Sequence, residues 1–276
     1  MKKTVSSFHV SKKNIKQVQQ KILDFYHHHK RDLPWRNTTN PYHILLSEIM
    51  LQQTQVPRVQ QYYNRWIKQW PRIYDLAHAQ RSILLKEWLG LGYNSRAVRL
   101  HQTARIICDQ FDGDVLLAMH HYKHLPGIGQ YTARAVRIFS ANEDIITVDT
   151  NIRRILMYEF DLPQTVSDKV LWEIALACLP QGKSRQWHNA LMDYGSLVLT
   201  SQKTQISPKT RQSRFQGSDR QIRASILRNV LNKPVSLSQL QEQITCEPQR
   251  LFSIIEQMQQ EQLVTQKDNL LCIKEE

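Results

Sequence analysis

The sequence predicts a mainly helical, all-α fold, and three observations carry that expectation. Apolar positions recur at helical spacing through most of the first two hundred residues, beginning with Ile15, Val18, Ile22, Phe25 and Tyr26. Only eight glycines serve 276 residues, too few for a chain built from many tight turns. Pro41, Pro71, Pro126 and Pro163 fall between the periodic stretches, where a helix has to break.

Taken in order, helices are expected after the first one at Tyr42–Thr54, Val56–Trp66, Ile73–Ala79, Arg81–Glu87, Asn94–Gln110, Asp114–Met119, Thr132–Phe139, Asp149–Phe160, Asp168–Cys178 and Ser184–Leu199. At Thr200 the composition changes. Residues 201–214 are polar and basic, with almost no large apolar side chain, so 201–217 reads as a linker or surface loop. A second pattern starts after Gly217: an amphipathic Asp219–Leu231, a Ser-capped Ser236–Ile244, a longer Pro248–Glu261, and two short strands flanking Lys267-Asp268-Asn269. Three helices and a hairpin is the order of a winged helix-turn-helix, and a small helical appendage packed on the main body fits the same pattern. The expected division is 1–200, 201–217 and 218–276.

Thirty-seven Lys and Arg against 24 Asp and Glu give a net charge of +13, which suits a polyanionic partner. No stretch approaches the length needed to cross a bilayer, and the basic start has no apolar run behind it, so an intracellular protein without a membrane partner is expected. Cys108, Cys178, Cys246 and Cys272 are scattered with no CxxC spacing, which argues against a disulfide framework or a cysteine metal site. His27-His28-His29 resembles a metal tract only superficially, because three consecutive side chains diverge on a helix. Tyr62, Tyr63, Trp66 and Trp70 recur at core spacing.

Two clusters carry candidate chemistry. In Leu125-Pro-Gly-Ile-Gly-Gln-Tyr-Thr132, Gly127 and Gly129 bracket one apolar residue and open onto a helix, so that backbone N–H groups at Gly129, Gln130 and Thr132 can face an anion such as a phosphate. Arg134 and Arg137 lie in that helix. Asp149 follows the β-branched run Ile145-Ile-Thr-Val148, and can cap the next helix, stabilise a developing positive charge, or do both. In the second cluster, Glu48 lies within the apolar Ile44-Leu-Leu and Ile49-Met-Leu. Desolvation there would keep it protonated as a general acid, whereas a place on the solvent face would leave it an ordinary surface carboxylate. Gln52, Gln53 and Thr54 end the same helix with neutral groups suited to base edges.

Leu33-Pro-Trp-Arg36, Ser47-Glu-Ile-Met-Leu-Gln-Gln-Thr54, Gly90-Leu-Gly-Tyr93 with Arg96, Leu125-Pro-Gly-Ile-Gly129 and Val148-Asp-Thr-Asn151 occur in this order. Together they resemble the helix-hairpin-helix DNA glycosylases, and are most similar to the MutY adenine glycosylases, over about residues 15–200. The resemblance implies two helical lobes with the active site between them. It implies that Glu48 protonates the adenine, that Asp149 stabilises the sugar cation and that Asn151 and Tyr131 support them. Gln53, Thr54 and Leu91 would fill the duplex where the base has left, with Tyr93 and Arg96 also on the DNA. Tyr131 stands where the strand-cleaving relatives hold a Schiff-base lysine, so a monofunctional enzyme is expected. The implied partner is double-stranded DNA with a mispaired or damaged base, met by a monomer in the cytoplasm, at the nucleoid if the source is prokaryotic.

The chain departs from the family at two places. The four cysteines that bind an iron–sulfur cluster in most relatives fall by spacing at Leu199, Ile206, Lys209 and Phe215, so no cofactor is expected. Lys203, Lys209, Arg211 and Arg214 would touch the DNA backbone without metal support. The roughly sixty residues after Gly217 are too few for the domain that reads 8-oxoguanine in MutY enzymes. A thymine or uracil mismatch glycosylase, or a non-catalytic damaged-DNA-binding protein, are the competing expectations.

Overall fold

A computed structural model describes residues 10–206 and 214–275. Helices α1 (Lys12–His29), α2 (Pro41–Leu51), α3 (Val56–Gln69), α4 (Ile73–Ala77), α5 (Arg81–Trp88), α6 (Ser95–Phe111), α7 (Val115–His120) and α8 (Gln130–Ala141) are followed by α9 (Thr150–Glu159), α10 (Asp168–Ala177), α11 (Ser184–Leu197) and a single turn, α12 (Ser201–Thr204). The C-terminal part runs α13 (Asp219–Asn232), β1 (Val235–Ser236), α14 (Leu237–Gln243), α15 (Pro248–Gln260), β2 (Val264–Lys267) and β3 (Leu270–Ile273). This is the element order of a winged helix. Its antiparallel sheet has the order β1-β3-β2, with Val235 opposite Leu271 and Thr265 opposite Cys272. Strand β1 was not expected, because two residues are too short to show a period.

Cap chemistry explains several boundaries. Ser11 and Ser167 accept from the backbone N–H of Asn14 and Val170, and Ser236 forms a capping box with Gln239 at the start of α14. Helix α2 stops at Leu51, short of the expected Thr54, because Arg96 takes the carbonyls of Ile49, Met50 and Gln52 and Gln53 turns left-handed at φ 56°.

The chain divides into two compact units, Met1–Ile44 with Gly129–Arg211, and Leu45–Ile128 with Gln212–Glu276. In the first, α11 packs on α1 and α9 around Ile22, Ile155, Leu156, Trp187, Ala190 and Leu191, all buried. Asp193 of α11 is fully buried, and its carboxylate receives Arg31 Nε at 2.5 Å and Arg36 Nη1 and Nη2 at 2.7 and 2.8 Å. The backbone N–H of Arg31 adds a further bond at 3.0 Å. Burial works to raise the Asp193 pKa, but the Arg36 and Arg31 donors prevail and hold it below the usual carboxylate range. The Arg of the Leu33-Pro-Trp-Arg36 motif is thus a fold anchor, folded into a 3₁₀ turn at Pro34–Arg36 and tied to α11.

In the second unit, Trp66 meets Trp70 and Trp88 edge-on at ring-centroid distances of 4.8 and 5.1 Å; Tyr63, Trp66 and Trp70 are buried as their spacing predicts, Tyr62 is half-buried, and Trp88 is buried with them. Residues 212–276 belong to this unit. The Glu275 carboxylate accepts the backbone N–H groups of Arg81 and Ser82 at 2.9 and 3.0 Å, capping α5 where Gln80 supplies no side-chain cap. Buried Arg81 returns the contact through Nη1 to the Lys274 carbonyl at 3.0 Å.

Asp193→Asn leaves two arginines in a poorly hydrated site without their anion, a change that costs roughly 3–5 kcal/mol. Urea denaturation at neutral pH checks this, and a loss below about 1 kcal/mol, the range of an exposed pair, contradicts the anchor. Because the Asp193 pKa is depressed, its contribution is present above the ordinary value and disappears as pH falls through the depressed one.

Candidate active site

The glycine hairpin has the expected form. Leu125 and Ile128 are buried and hold it to the body, and Thr103 Oγ1 donates to the Pro126 carbonyl at 2.9 Å. Gly127 and Gly129 are exposed. Gly127 sits at φ +77°, and a Cβ there would lie 3.1 Å from Arg99 Cβ, so only glycine fits without strain. Gly129 is the N-cap of α8 and brings no side-chain cap, the arrangement in which an anion is drawn to a helix start. Gln130 is exposed, Tyr131 half-buried and Thr132 buried. Arg134 and Arg137 hold local structure: Arg134 donates to the Ile146 carbonyl at 2.9 Å, and Arg137 pairs with Glu143.

Asp149 is the N-cap of α9. Its Oδ1 accepts from the Ile152 N–H at 2.7 Å and its Oδ2 from Asn151 Nδ2 at 3.0 Å. Burial of the carboxyl pushes its pKa up, against the opposing pull of the Ile152 and Asn151 donors and of Arg154. The residue as a whole keeps partial exposure, so the carboxyl is short of water yet within reach of it. The cap reading of Asp149 is thus met, and the capping carboxyl is at the same time a desolvated one. Asn151 is oriented from behind: its Oδ1 accepts Arg154 Nη2 at 2.8 Å, which fixes the amide so that Nδ2 faces Asp149. Arg154 is buried, and donates as well to the carbonyls of Gly195 at 2.8 Å and Leu199 at 2.5 Å. A Cβ on Gly195 would meet Ile155 Cδ1 at 3.1 Å and Asn151 Cβ at 3.3 Å, so this glycine lets α11 approach α9 beside Asn151.

The segment leading into Asp149 has the composition of a strand but forms none. Its backbone is satisfied by side chains instead. Ser184 Oγ donates to the Ile145 carbonyl at 3.0 Å, Arg134 to Ile146, and the Thr147 N–H donates to His188 Nε2 at 3.2 Å. His188 Nδ1 donates to the Ser184 carbonyl at 2.8 Å, which leaves Nε2 as the bare acceptor. Burial pushes the His188 pKa down to about 4, so the ring stays neutral and able to accept. His188 and Arg154 escaped the sequence reading because neither belongs to a motif. A charged or titratable residue on the buried stripe of α9 or α11 was the available signal.

In the second unit, Glu48 is half-buried on α2, between Ser47 and Ile49, both buried. Gln52 and Thr54 are half-buried, and Gln53 is exposed at its left-handed turn. Arg96, expected on the DNA, is buried and committed internally. Nη1 serves the α2 carbonyls already described, and Nη2 reaches Thr54 Oγ1 at 3.1 Å, the Leu91 carbonyl at 3.2 Å and the Gly92 carbonyl at 2.9 Å. Burial lowers its pKa to about 10. Its part is to join the end of α2 to the Gly90–Tyr93 turn. Leu91 is likewise buried, while Tyr93 is half-exposed at φ 47°.

The residues at the four cluster positions do not fit an iron–sulfur group. Leu199 is a buried apolar side chain, Ile206 and Phe215 have no thiolate, and Lys209 lies outside the described residues, as does Arg211. Cys178 is buried in the first core and its thiol pushed up to about 12 by burial. Lys203 and Arg214 are exposed.

Residues 46–173 match the model of the HhH-GPD superfamily of base excision DNA repair proteins. The adenine DNA glycosylase of Mycolicibacterium smegmatis is 36% identical over 245 residues, 79% of this chain and 83% of that protein. This chain belongs to the adenine DNA glycosylase family. Within the family, the Buchnera aphidicola protein is 37% identical over 65% of the chain, and the human protein 32% identical over 72%. The chain covers only 52% and 39% of those two relatives' lengths. Among solved structures, a thermostable thymine-DNA glycosylase is 29% identical with a TM-score of 0.64, covering 71% of this chain and 91% of that one. A trapped endonuclease III–DNA covalent intermediate gives a TM-score of 0.62 at 18% identity over 73% and 92%, a likeness of fold. No described helix is long and apolar enough to cross a membrane.

The neutral His188 makes a pH prediction. Its folded pKa lies below the ordinary value of about 6.5, so its contribution to stability is present above that value and is lost as pH falls towards about 4. Between pH 7 and pH 5 the loss is on the order of 2 kcal/mol. In His188→Gln, whose carbonyl oxygen can still accept from Thr147, this part of the acid sensitivity disappears. Denaturant unfolding at the two pH values checks it, and equal losses in both proteins contradict the assignment.

Proposed function

We propose that the protein is a monofunctional adenine DNA glycosylase that hydrolyses the N-glycosidic bond of adenine mispaired with guanine or 8-oxoguanine and stops at an abasic site. The observation that carries this reading is Asp149, a carboxyl held at a helix N-cap where burial works against its charge and where Asn151 and Arg154 work for it. A fold keeps such a carboxylate at a cost to stability, and a developing sugar cation is what it would serve. Glu48 donates the proton that lets adenine leave with the electron pair of the glycosidic bond. Asp149 meets the positive charge left on the sugar. Water then adds to the anomeric carbon and gives up its proton, and the product is an abasic site.

The α8 start with Gly127, Gly129 and Gln130 holds a backbone phosphate. Gln52, Gln53, Thr54 and Tyr93 face the opened duplex, and Leu91 enters it only if its turn rearranges. Tyr131 has no amine, so no Schiff base forms and the strand stays intact. Likeness to a thymine-DNA glycosylase at 29% identity supports a second reading, excision of mispaired thymine or uracil.

Labelled duplexes carrying A:G, A:8-oxoguanine, T:G and U:G, read with and without alkali, separate these. Alkali-dependent breaks at adenine are expected, and breaks confined to T or U move the activity to the second reading. Asp149→Asn keeps a good N-cap while removing the desolvated charge. It should lower base release by about 10²–10³-fold or more with an unchanged or higher unfolding midpoint. Activity within about ten-fold of the parent, about 1.4 kcal/mol, contradicts the role given to Asp149. Borohydride should trap no protein–DNA adduct.

A further inference from the structure

We infer that the C-terminal winged helix is a positioning clasp for the Gly90–Tyr93 turn, fastened through Glu275, and not a second reader of DNA. The inference rests on the reading of that turn as the part that enters the opened duplex, and it adds elements outside the glycosylase motifs that hold the turn in place.

Charge argues against the role that the winged-helix order suggests. Residues 218–276 hold seven Lys and Arg against eight Asp and Glu, while the whole chain is +13. Helix α15, the one that would enter the major groove in a winged helix-turn-helix, has a single arginine, and Asp219 engages it at 2.9 Å. A surface with no excess of cations gains little from the counterions that a phosphate backbone releases.

What the C-terminal part does hold is the hairpin formed by α5, the Gly90–Tyr93 turn and α6. At the start of α5 the Glu275 carboxylate takes the N–H groups of Arg81 and Ser82, one on each oxygen. Arg81, only 1% exposed, sends its guanidinium the other way, and Nη1 donates to the carbonyls of Lys274 at 3.0 Å and Gln262 at 3.4 Å. On α6, Gln102 Nε2 donates to Gln262 Oε1 at 3.0 Å. At the turn, the Arg220 guanidinium of α13 lies over the Tyr93 ring at 5.6 Å, and α13 packs against α5. These points are joined within the C-terminal part, because Arg223 of α13 pairs with Glu261 at 2.5 Å, next to Gln262.

The hairpin needs such a hold. Leu91 is buried, so the turn has to rearrange before that side chain can enter DNA. A turn can drive a side chain between bases only if the helices on either side of it stay in place, since otherwise the insertion bends the protein instead of opening the duplex. Helix α5 has eight residues and no cap from Gln80, so its first turn depends on Glu275. Small displacements passed from such a helix to the inserting turn are enough to cost rate.

The test is the rate at which the full chain, in excess, opens an A:G duplex, read by stopped-flow fluorescence of 2-aminopurine placed beside the mispaired adenine. This signal needs no bond cleavage. Glu275→Ala should slow opening about five-fold or more, the effect of a lost helix cap passed on to the turn. Glu275→Gln, whose amide oxygen can still accept one of the two N–H groups, should fall between Glu275→Ala and the parent. Glu256→Ala removes the same charge from the exposed face of α15 and should match the parent. Unfolded molecules lower the amplitude of the signal and leave its rate alone. A parent-like or faster rate in Glu275→Ala, or an equal slowing in Glu256→Ala, overturns the inference. Base release from the same duplex, read separately with alkali, tests the proposed activity. Opening that depends on Glu275 without any release defeats that activity alone, release with a parent-like opening rate in Glu275→Ala defeats this inference alone, and a parent that never opens the duplex defeats both.

Discussion

A carboxyl buried where water is scarce is the constraint around which the first unit is arranged. Asp149 gains two hydrogen bonds by capping α9, and still its pKa is raised by burial. Burial favours the neutral form of such an acid, and the Ile152 and Asn151 donors and the Arg154 charge oppose it. The support comes from behind. Arg154 fixes Asn151, Asn151 faces Asp149, and the approach segment is held by Ser184, Arg134 and His188 instead of by a neighbouring strand.

That arrangement has consequences for the rest of the fold. Helix α11 supplies Ser184, His188 and the Gly195 carbonyl that accepts from Arg154, so its position sets that of Asp149. Gly195 allows it close to α9, and Asp193 ties it to the 31–36 segment through two arginines. The second unit uses a similar device. Arg96 gathers carbonyls from the end of α2 and from the Gly90–Tyr93 turn, so one buried guanidinium sets the placement of both. At the positions where the resemblance to the family leads one to expect cluster cysteines there is no thiolate, and one of them, Leu199, accepts from Arg154 Nε through its carbonyl.

The helices, the glycine hairpin, the cap role of Asp149 and the winged-helix order were legible because each is written in short-range spacing. Periodicity, a Gly-x-Gly turn and a Ser or Asp before an apolar run all act over a few residues. What escaped depends on pairings between distant segments. Asp193 lies more than 150 residues from the arginines it holds, and Arg220 and Tyr93 are likewise far apart. Arg96 and Leu91 show the limit of a motif read by position: both are where the resemblance puts them, but burial gives Arg96 an internal task and holds the Leu91 side chain inward. Ile145–Val148 has the composition of a strand, but its backbone is satisfied by side-chain hydrogen bonds that no β-branched pattern reveals.

The central claim is that the charge of Asp149, raised in pKa and held in place, governs bond cleavage. Its most direct test is the pH profile of single-turnover base release from an A:8-oxoguanine duplex. The rate should fall on acidification with an apparent pKa above the ordinary aspartate value of about 3.9, as Asp149 takes up a proton and loses the charge that the sugar cation needs. A rate that climbs steadily as the medium becomes more acidic, as acid-driven depurination alone would, contradicts the account.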